Sequence, residues 1–356
     1  MMSGATRGIL ARRAVRAKAA RVLAKIRQLA AAAPRHRARV DGLAPFATEA
    51  LAEELASRLA DTPGNPLHEV FYRHGFHLLR KHFYLPIPDD TDRLDGFWSN
   101  RSAMTGVDTN DAVAFELMTN LLPPFLAEFR GSFPIHRTAL TTGFYLINGG
   151  YMAVDAHVYY GLIRHFKPRH IVEIGNGNST LLALSAAQRN RDEGRDTQVT
   201  SIDPYPWDIF RGGVPGLELI ARRVQDVPLE FFGKLAEGDI LFIDSSHVIR
   251  SGNDVHYEYL EILPRLSPGV MVHLHDISLP MPYPKVYYDN QLYWNEQYLL
   301  QAFLMFNQKF EVMWPGNYLM LTYPDKMNAT FPEIAVMREI YPSSEPTAFW
   351  MRAKGS

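Results

Sequence analysis

The sequence predicts an α/β fold: a parallel sheet with helices on both faces, closed at its C-terminal end by an antiparallel hairpin and preceded by a helical accessory region. Three observations lead there. From residue 155 onward, short apolar runs alternate with helical stretches, the rhythm of repeated βα units. A glycine pair, Gly175 and Gly177, sits where the first of those runs meets its helix. Finally, the apolar runs at 310–314 and 318–322 are separated by only Pro315-Gly316-Asn317. A parallel crossover needs a dozen or more residues, so neighbours joined this tightly pair antiparallel.

In chain order, residues 1–40 form a basic arm. Within it 9–33 is alanine-rich, with Val15, Ala19, Val22, Leu23, Ile26 and Leu29 at helical spacing among Arg12, Arg16, Lys18, Arg21, Lys25 and Arg27. Alanine gives a weak apolar face, so the arm reads as a loose helix or disordered segment before it reads as an anchor making peripheral contact with acidic lipid. Residues 41–150 lack strand rhythm and read as a mostly helical cap. Helices are expected at 47–59, over 68–83 (throughout, or as a helix running into an extended segment), and at 111–129 with an interruption at Pro123-Pro124; Leu85-Pro86-Ile87-Pro88 is extended because proline disfavours helix before it.

The sheet domain is expected over 151–325, with 326–356 as an extension. A helix at 155–165 ends at Lys167-Pro168. Strand 170–174 and helix 179–189 follow. Further strands are expected at 198–203, 217–222, 239–244 and 270–274, with helices at 229–235, 254–266 and 295–306, before the terminal hairpin.

Composition sets the bounds. The 356 residues are 47% hydrophobic and 21% charged, an ordinary globular balance. With no cysteine, disulfides, thiolate metal sites and cysteine nucleophiles are excluded. That absence suits a reducing compartment, and a cytoplasmic location is the expectation. No run of about 18 apolar residues predicts a membrane span, and the N-terminus lacks the apolar core of a signal peptide. The net charge of −1 conceals an asymmetry: residues 1–40 hold 11 Lys and Arg and no acid, leaving 26 basic against 38 acidic residues beyond. An acidic body argues against nucleic acid as the main partner.

The chemistry-bearing segments lie at strand ends, where ligands bind in open α/β sheets. The first is Val172-Glu173-Ile174-Gly175-Asn176-Gly177-Asn178-Ser179-Thr180. Glycines there permit a tight turn and close backbone approach to a ligand. A dinucleotide fingerprint wants a third glycine where Thr180 stands, and Glu173 would crowd a pyrophosphate while suiting an ammonium-bearing ligand. Asp203 ends the second strand, where an acid takes ribose hydroxyls. Asp226, after the third, lies where an adenine contact would fall. Asp244 and His247 follow the fourth strand, and His275 and Asp276 end the fifth. Two carboxylates and two imidazoles suit a divalent cation or a His–Asp acid/base pair equally well. His273, deeper in its strand, reads as structural.

A parallel sheet closed by one late antiparallel hairpin is also the outline of the class I methyltransferase fold. From about Gly75 to Met320 the chain resembles a bacterial class I, Rossmann-like S-adenosylmethionine-dependent methyltransferase family related to the group that includes macrolide-sugar O-methyltransferases. The stretches that carry the resemblance are 82–88, Asn148-Gly149-Gly150-Tyr151 with Asp155, and 172–180, then 201–206, 239–247, 257–269, 273–280 and 294–306. The resemblance implies S-adenosylmethionine binding by Glu173, Gly175, Gly177, Asp203 and the Asp226 region. It places Asp244, His247, His275 and Asp276 at the active site. Asn176 stands where Ser or Ala is expected.

The resulting expectation is O-methylation of a hydroxyl on a sugar or hydroxylated natural product. Ser179 and Asp244 join the cofactor set. His275 or His247 serves as base, oriented by Asp244 and Asp276, or these four hold a divalent cation such as magnesium. His82, Tyr84, Tyr151 and Asp155 are candidates for the acceptor side. The expected partner is a small-molecule or saccharide acceptor, with a homo-oligomer left open. N-methylation of a small molecule at the same cofactor site, and a non-catalytic Rossmann-like binding protein, are the alternative readings.

Overall fold

The computed structural model describes residues 45–61, 67–82, 84–88, 96–139 and 141–355. They form two compact units divided near residue 95. The basic arm of residues 1–40 lies outside the described residues.

The smaller unit carries the helix Pro45–Asp61 and the short helix His68–Arg73. Of the two readings of 68–83 the structure shows the second: the helix stops at Arg73 and the chain leaves it, with Gly75 just beyond at a φ of +85°. A glycine in left-handed geometry is a common helix stop, because only it takes that conformation without a Cβ penalty. The rings of His68 and Tyr72 on this helix gather with that of His77 beyond the stop, with centroids 5.6 to 6.1 Å apart.

The larger unit is built on seven strands: β1 (His170–Ile174), β2 (Gln198–Ile202), β3 (Leu217–Ile220), β4 (Ile240–Ile243), β5 (Met271–Leu274), β6 (Phe310–Pro315) and β7 (Phe349–Ala353). Their order across the sheet is β3-β2-β1-β4-β5-β7-β6. Strands β1 to β5 are parallel, and β7 runs antiparallel to both β5 and β6. The antiparallel closure is as the sequence predicts, but one of its strands is not. Residues 318–322 belong to a helix, Gly316–Thr322, and the partner of β6 is β7, within the 326–356 extension. A short apolar run reads alike as buried strand or buried helix. Packing decides it: Leu319 and Met320 are buried in the core, and Gly316 donates its N–H to the Ala348 carbonyl at 2.9 Å. A Cβ at Gly316 would sit 2.8 Å from that oxygen, so the residue that reads as a hairpin turn is where the chain slips past β7.

Strand residues alternate between two apolar cores. Ile171, Ile240, Phe242, Met271 and Trp350 face the first, and Val172, Leu241, Ile243, Val272, Leu274 and Met351 face the second. The first core is covered by helices Asp155–Phe166 and Asn178–Asp192, and also by Asp111–Glu116 and Pro123–Ser132. The helices of 111–132 therefore share the core of the sheet, and the helical region expected over 41–150 divides at about residue 95. The second core is covered by 254–265 and Glu296–Leu304. The former stays helical throughout but widens to a π turn at Glu258–Ile262 and tightens at Leu263–Arg265.

Register sets the site. Ile174 pairs with Ile202 and Ile243, and Ile243 pairs with Leu274, so β2, β1, β4 and β5 end in one row. The backbone ladder continues one residue further: Gly175 N–H to Ile202, Asp244 N–H to Ile174 and His275 N–H to Ile243, each at 2.9 Å.

Candidate active site

Gly175, Asp203, Asp244 and His275 thus lie side by side along one edge of the sheet, each the first residue past its strand. Gly175 has a φ of +101°, and a Cβ there would collide with the Asp244 carbonyl oxygen. The glycine is required because the β1 turn and the end of β4 touch through their backbones.

Four expected residues converge. His247 Nε2 lies 3.2 Å from Asp244 Oδ1 and 3.7 Å from Asp276 Oδ2. His275 Nδ1 lies 3.6 Å from that same Asp244 oxygen and 3.7 Å from the same Asp276 oxygen. Asp276, His247 and His275 are buried, while the Asp244 side chain is 38% exposed and forms the solvent face. His247 and Asp276 both hold left-handed backbone angles, φ 60° and 58°. Such conformations cost free energy in non-glycine residues and gather at functional sites. One donor atom each from Asp244, His247 and Asp276 lies within 4.8 Å of the others, a spacing that a single cation can bridge.

Charge shapes this cluster. Burial alone would lower the His275 pKa, but Asp276, Asp244 and Asp155 push it up to about 10. His247 is likewise raised well above the ordinary imidazole value, against the pull of burial, by Asp244, Glu296 and Asp276. Asp244 is held well below the carboxylate range by the two imidazoles, which outweigh its desolvation. Asp244 and Asp276 set two carboxylates beside the one imidazole of His247, so that donor set fits a cation. The two carboxylates that raise His275 most are the ones a cation would neutralise.

The cofactor side is arranged beneath the glycine turn. Glu173 is fully buried, accepts the Tyr159 hydroxyl at 3.0 Å, and is pushed up to about 7 by burial against the lowering effect of neighbouring hydroxyls on Thr180, Tyr159 and Ser179. It lies beneath the glycine turn, within the end of β1. Gly177 N–H donates to Thr180 Oγ1 at 3.1 Å, so the threonine that breaks the dinucleotide fingerprint closes the turn. The Asn176 side chain accepts the Trp207 N–H at 3.1 Å, and the Trp207 ring lies against Gly177. Asp203 is buried and accepts the Tyr205 N–H at 2.7 Å. Asp226, on the turn after β3, is exposed and gripped by the Arg223 guanidinium at 2.8 and 2.9 Å, a local pairing that occupies the carboxylate expected near adenine.

The acceptor-side candidates separate. Tyr151 and Asp155 reach the cluster from beneath. Tyr151 is buried with its ring 5.1 Å from that of His275, and it donates its hydroxyl to the Asp155 carbonyl at 3.3 Å. The Asp155 carboxylate accepts the Thr347 N–H at 3.0 Å and lies 3.7 Å from His275 Nε2. Both residues support His275 and neither offers an open surface to an acceptor, because their polar atoms are already engaged inside the protein. His82 and Tyr84 belong to the smaller unit, where both are exposed and Tyr84 N–H donates to His82 Nδ1 at 3.2 Å. His273 is structural as expected: it is buried between Phe242 and Trp350, and burial lowers its pKa well below the usual value.

Three residues of the cluster escape the sequence pattern. Glu296 accepts His247 Nδ1–H at 2.9 Å; Tyr259 donates its hydroxyl to Glu296 at 3.2 Å; Thr347 ties down Asp155. Glu296 opens a helix, where an acid reads as complementing the helix dipole, and nothing in the spacing joins it to a histidine 49 positions earlier. Beside them Glu258 is buried, receives the Ser245 hydroxyl at 3.0 Å, and is raised well above the carboxylate range by burial and by Asp254 and Glu296. A cavity of about 670 Å³ lined by Gly106, Leu304, Phe306 and Lys309 lies at the opposite edge of the sheet, away from these groups.

Residues 172–277 match a family model described as a methyltransferase domain. The matched stretch runs from within β1 to just past β5 and contains the glycine turn, Asp203, Asp244, His247, His275 and Asp276. This stretch is therefore similar to methyltransferase domains. An uncharacterized protein of Archaeoglobus fulgidus is 38% identical over 100 residues, which is 27% of this chain and 44% of the relative. The chain thus spans less than half the length of that curated relative. A solved Thermobifida fusca structure, described as a candidate methyltransferase, covers 56% of this chain and 79% of its own at 15% identity and a TM-score of 0.36, too slight a likeness to bear on function. No helix among the described residues is long and apolar enough to cross a membrane.

Proposed function

We propose that the protein is an S-adenosylmethionine-dependent O-methyltransferase acting on a hydroxyl of a sugar or hydroxylated natural product, with a divalent cation held by Asp244, His247 and Asp276. The observation that carries this reading is the meeting of Asp244, His247, His275 and Asp276 at the ends of β4 and β5, beside the Gly175 turn, in a stretch that matches a methyltransferase domain.

When bound, S-adenosylmethionine supplies a sulfonium methyl for in-line displacement by the acceptor oxygen. A divalent cation, when bound, makes the acceptor hydroxyl more acidic. The chain's own residues do the rest. The Gly175–Gly177 turn gives the cofactor's amino-acid end close access to the backbone, and Asp203 stands at the strand end suited to ribose. His275 takes the hydroxyl proton; Asp155, fixed by Thr347, lies against its Nε2, leaving Nδ1 toward the cluster. Tyr151 and Tyr159 keep water from the inner side.

The test is turnover with S-adenosylmethionine across a panel of sugars and hydroxylated natural products. General-base loss costs roughly 10²–10⁴-fold. His275→Ala is expected to lose turnover in that range while still binding S-adenosylhomocysteine. Wild-type turnover in His275→Ala would remove the base assignment.

A further inference from the structure

One short segment, 294–296, holds the His247 backbone, ring face and Nδ1. The N–H groups of Asn295 and Glu296 both donate to the His247 carbonyl, at 3.0 and 3.1 Å, fixing its left-handed backbone. The Asn295 side chain accepts the Ile249 N–H at 2.7 Å. The Trp294 ring packs on the imidazole with centroids 4.3 Å apart. Glu296, 1% exposed, takes Nδ1–H at 2.9 Å, and its other oxygen is held by Tyr259. With Nδ1 assigned as the donor, Nε2 faces Asp244 and Asp276, and a cation bound there would displace its proton and meet the lone pair. A carboxylate holding the far nitrogen of an imidazole is the arrangement that orients metal-ligating histidines. A second observation points into the same space: His275 Nδ1 is buried without a hydrogen-bond partner, 3.6 Å from Asp244 and 3.7 Å from Asp276.

We propose that Trp294, Asn295 and Glu296 form a positioning segment that presents His247 Nε2 as a nitrogen ligand, making this a site for a first-row transition-metal dication, manganese included, in preference to magnesium. The proposal rests on the cation part of the function proposed above. Magnesium takes nearly all its ligands from oxygen and keeps its waters, whereas one imidazole nitrogen adds affinity for every first-row transition dication, manganese least and the later metals more. An all-carboxylate site would discriminate less, so the preference is a property of His247 and of the residues that fix its tautomer.

The experiment is a titration of the full chain with manganese chloride, following free Mn²⁺ by electron paramagnetic resonance, with magnesium as competitor. Loss of such an outer carboxylate typically weakens metal binding by about 10–100-fold. Glu296→Ala is expected to weaken manganese by that factor, and His247→Ala to remove the preference over magnesium. Affinity for S-adenosylhomocysteine, measured in chelator, is expected to stay at the wild-type value and reports that each variant is folded. If Glu296→Ala does not fold, Tyr259→Phe carries the test, with a smaller loss of manganese affinity expected. Equal manganese affinity in wild type and in whichever of these two variants carries the test overturns the proposal, as does a wild type that binds magnesium as tightly as manganese. Failure of S-adenosylhomocysteine to bind the wild type would sink the methyltransferase reading and leave this result standing.

Discussion

At the scale of single residues, the molecule keeps two kinds of buried histidine. His247 and His275 sit among carboxylates. His157 sits among aromatic rings, 4.4 Å from Phe129 and 5.6 Å from Phe331, with neither nitrogen hydrogen-bonded. Burial pushes its pKa down to about 4; Glu333, 3.6 Å away, and Asp155 pull upward, and Arg130 opposes them. The folded value lies below the unfolded one near 6.5, so unfolding takes up a proton in acid. His157 therefore favours folding fully above about pH 6.5, and that contribution is lost as pH falls toward 4, by about 3 kcal/mol in all. Urea midpoints for wild type and His157→Phe between pH 7.5 and 4 are expected to show a shallower acid limb in the variant. Parallel limbs would mean that His157 takes up no extra proton on unfolding. The chemistry of Asp244, His247, His275 and Asp276 was legible in sequence because Asp244 and His275 follow apolar strands directly and His247 and Asp276 lie in the turns just beyond. The supports were not: Glu296 and Thr347 meet the cluster only after the chain has crossed the sheet, and no local pattern records that.

At the scale of elements, the glycine turn carries the tightest constraint. Gly175 has a positive φ and no room for a Cβ, whereas Gly194, at φ +77°, has nothing within 4 Å of where a Cβ would stand. Gly175→Ala is expected to displace the end of β4, moving Asp244, and so to abolish S-adenosylhomocysteine binding and weaken cation binding together. Gly194→Ala, which incurs only the left-handed strain of about 1–2 kcal/mol, is expected to lower stability and leave both affinities unchanged. Calorimetry on the two variants separates them; retained cofactor binding in Gly175→Ala would show that the turn does not form the cofactor seat. The parallel strands were readable because burial on both faces leaves continuous apolar runs such as Ile240–Ile243. The last strand was misplaced because Tyr318-Leu319-Met320-Leu321 is as apolar as Phe349-Trp350-Met351, and length and composition do not separate a short buried helix from a strand. Which run joins the sheet is settled by pairing: Trp350 lies opposite His273 on β5 and Trp314 on β6.

At the scale of the whole molecule, the sheet gathers residues from Asp155 to Thr347 into one site. The row formed by Gly175, Asp203, Asp244 and His275 follows from strand order and register, not from any motif alone. The same row makes the cofactor claim testable without knowing the acceptor. The most direct measurement is calorimetric titration of the full chain with S-adenosylhomocysteine, once in chelator and once with manganese. Saturable one-to-one binding in both conditions, lost in Gly175→Ala, is the predicted result. No heat and no saturation in protein shown to be folded would contradict the account at its centre.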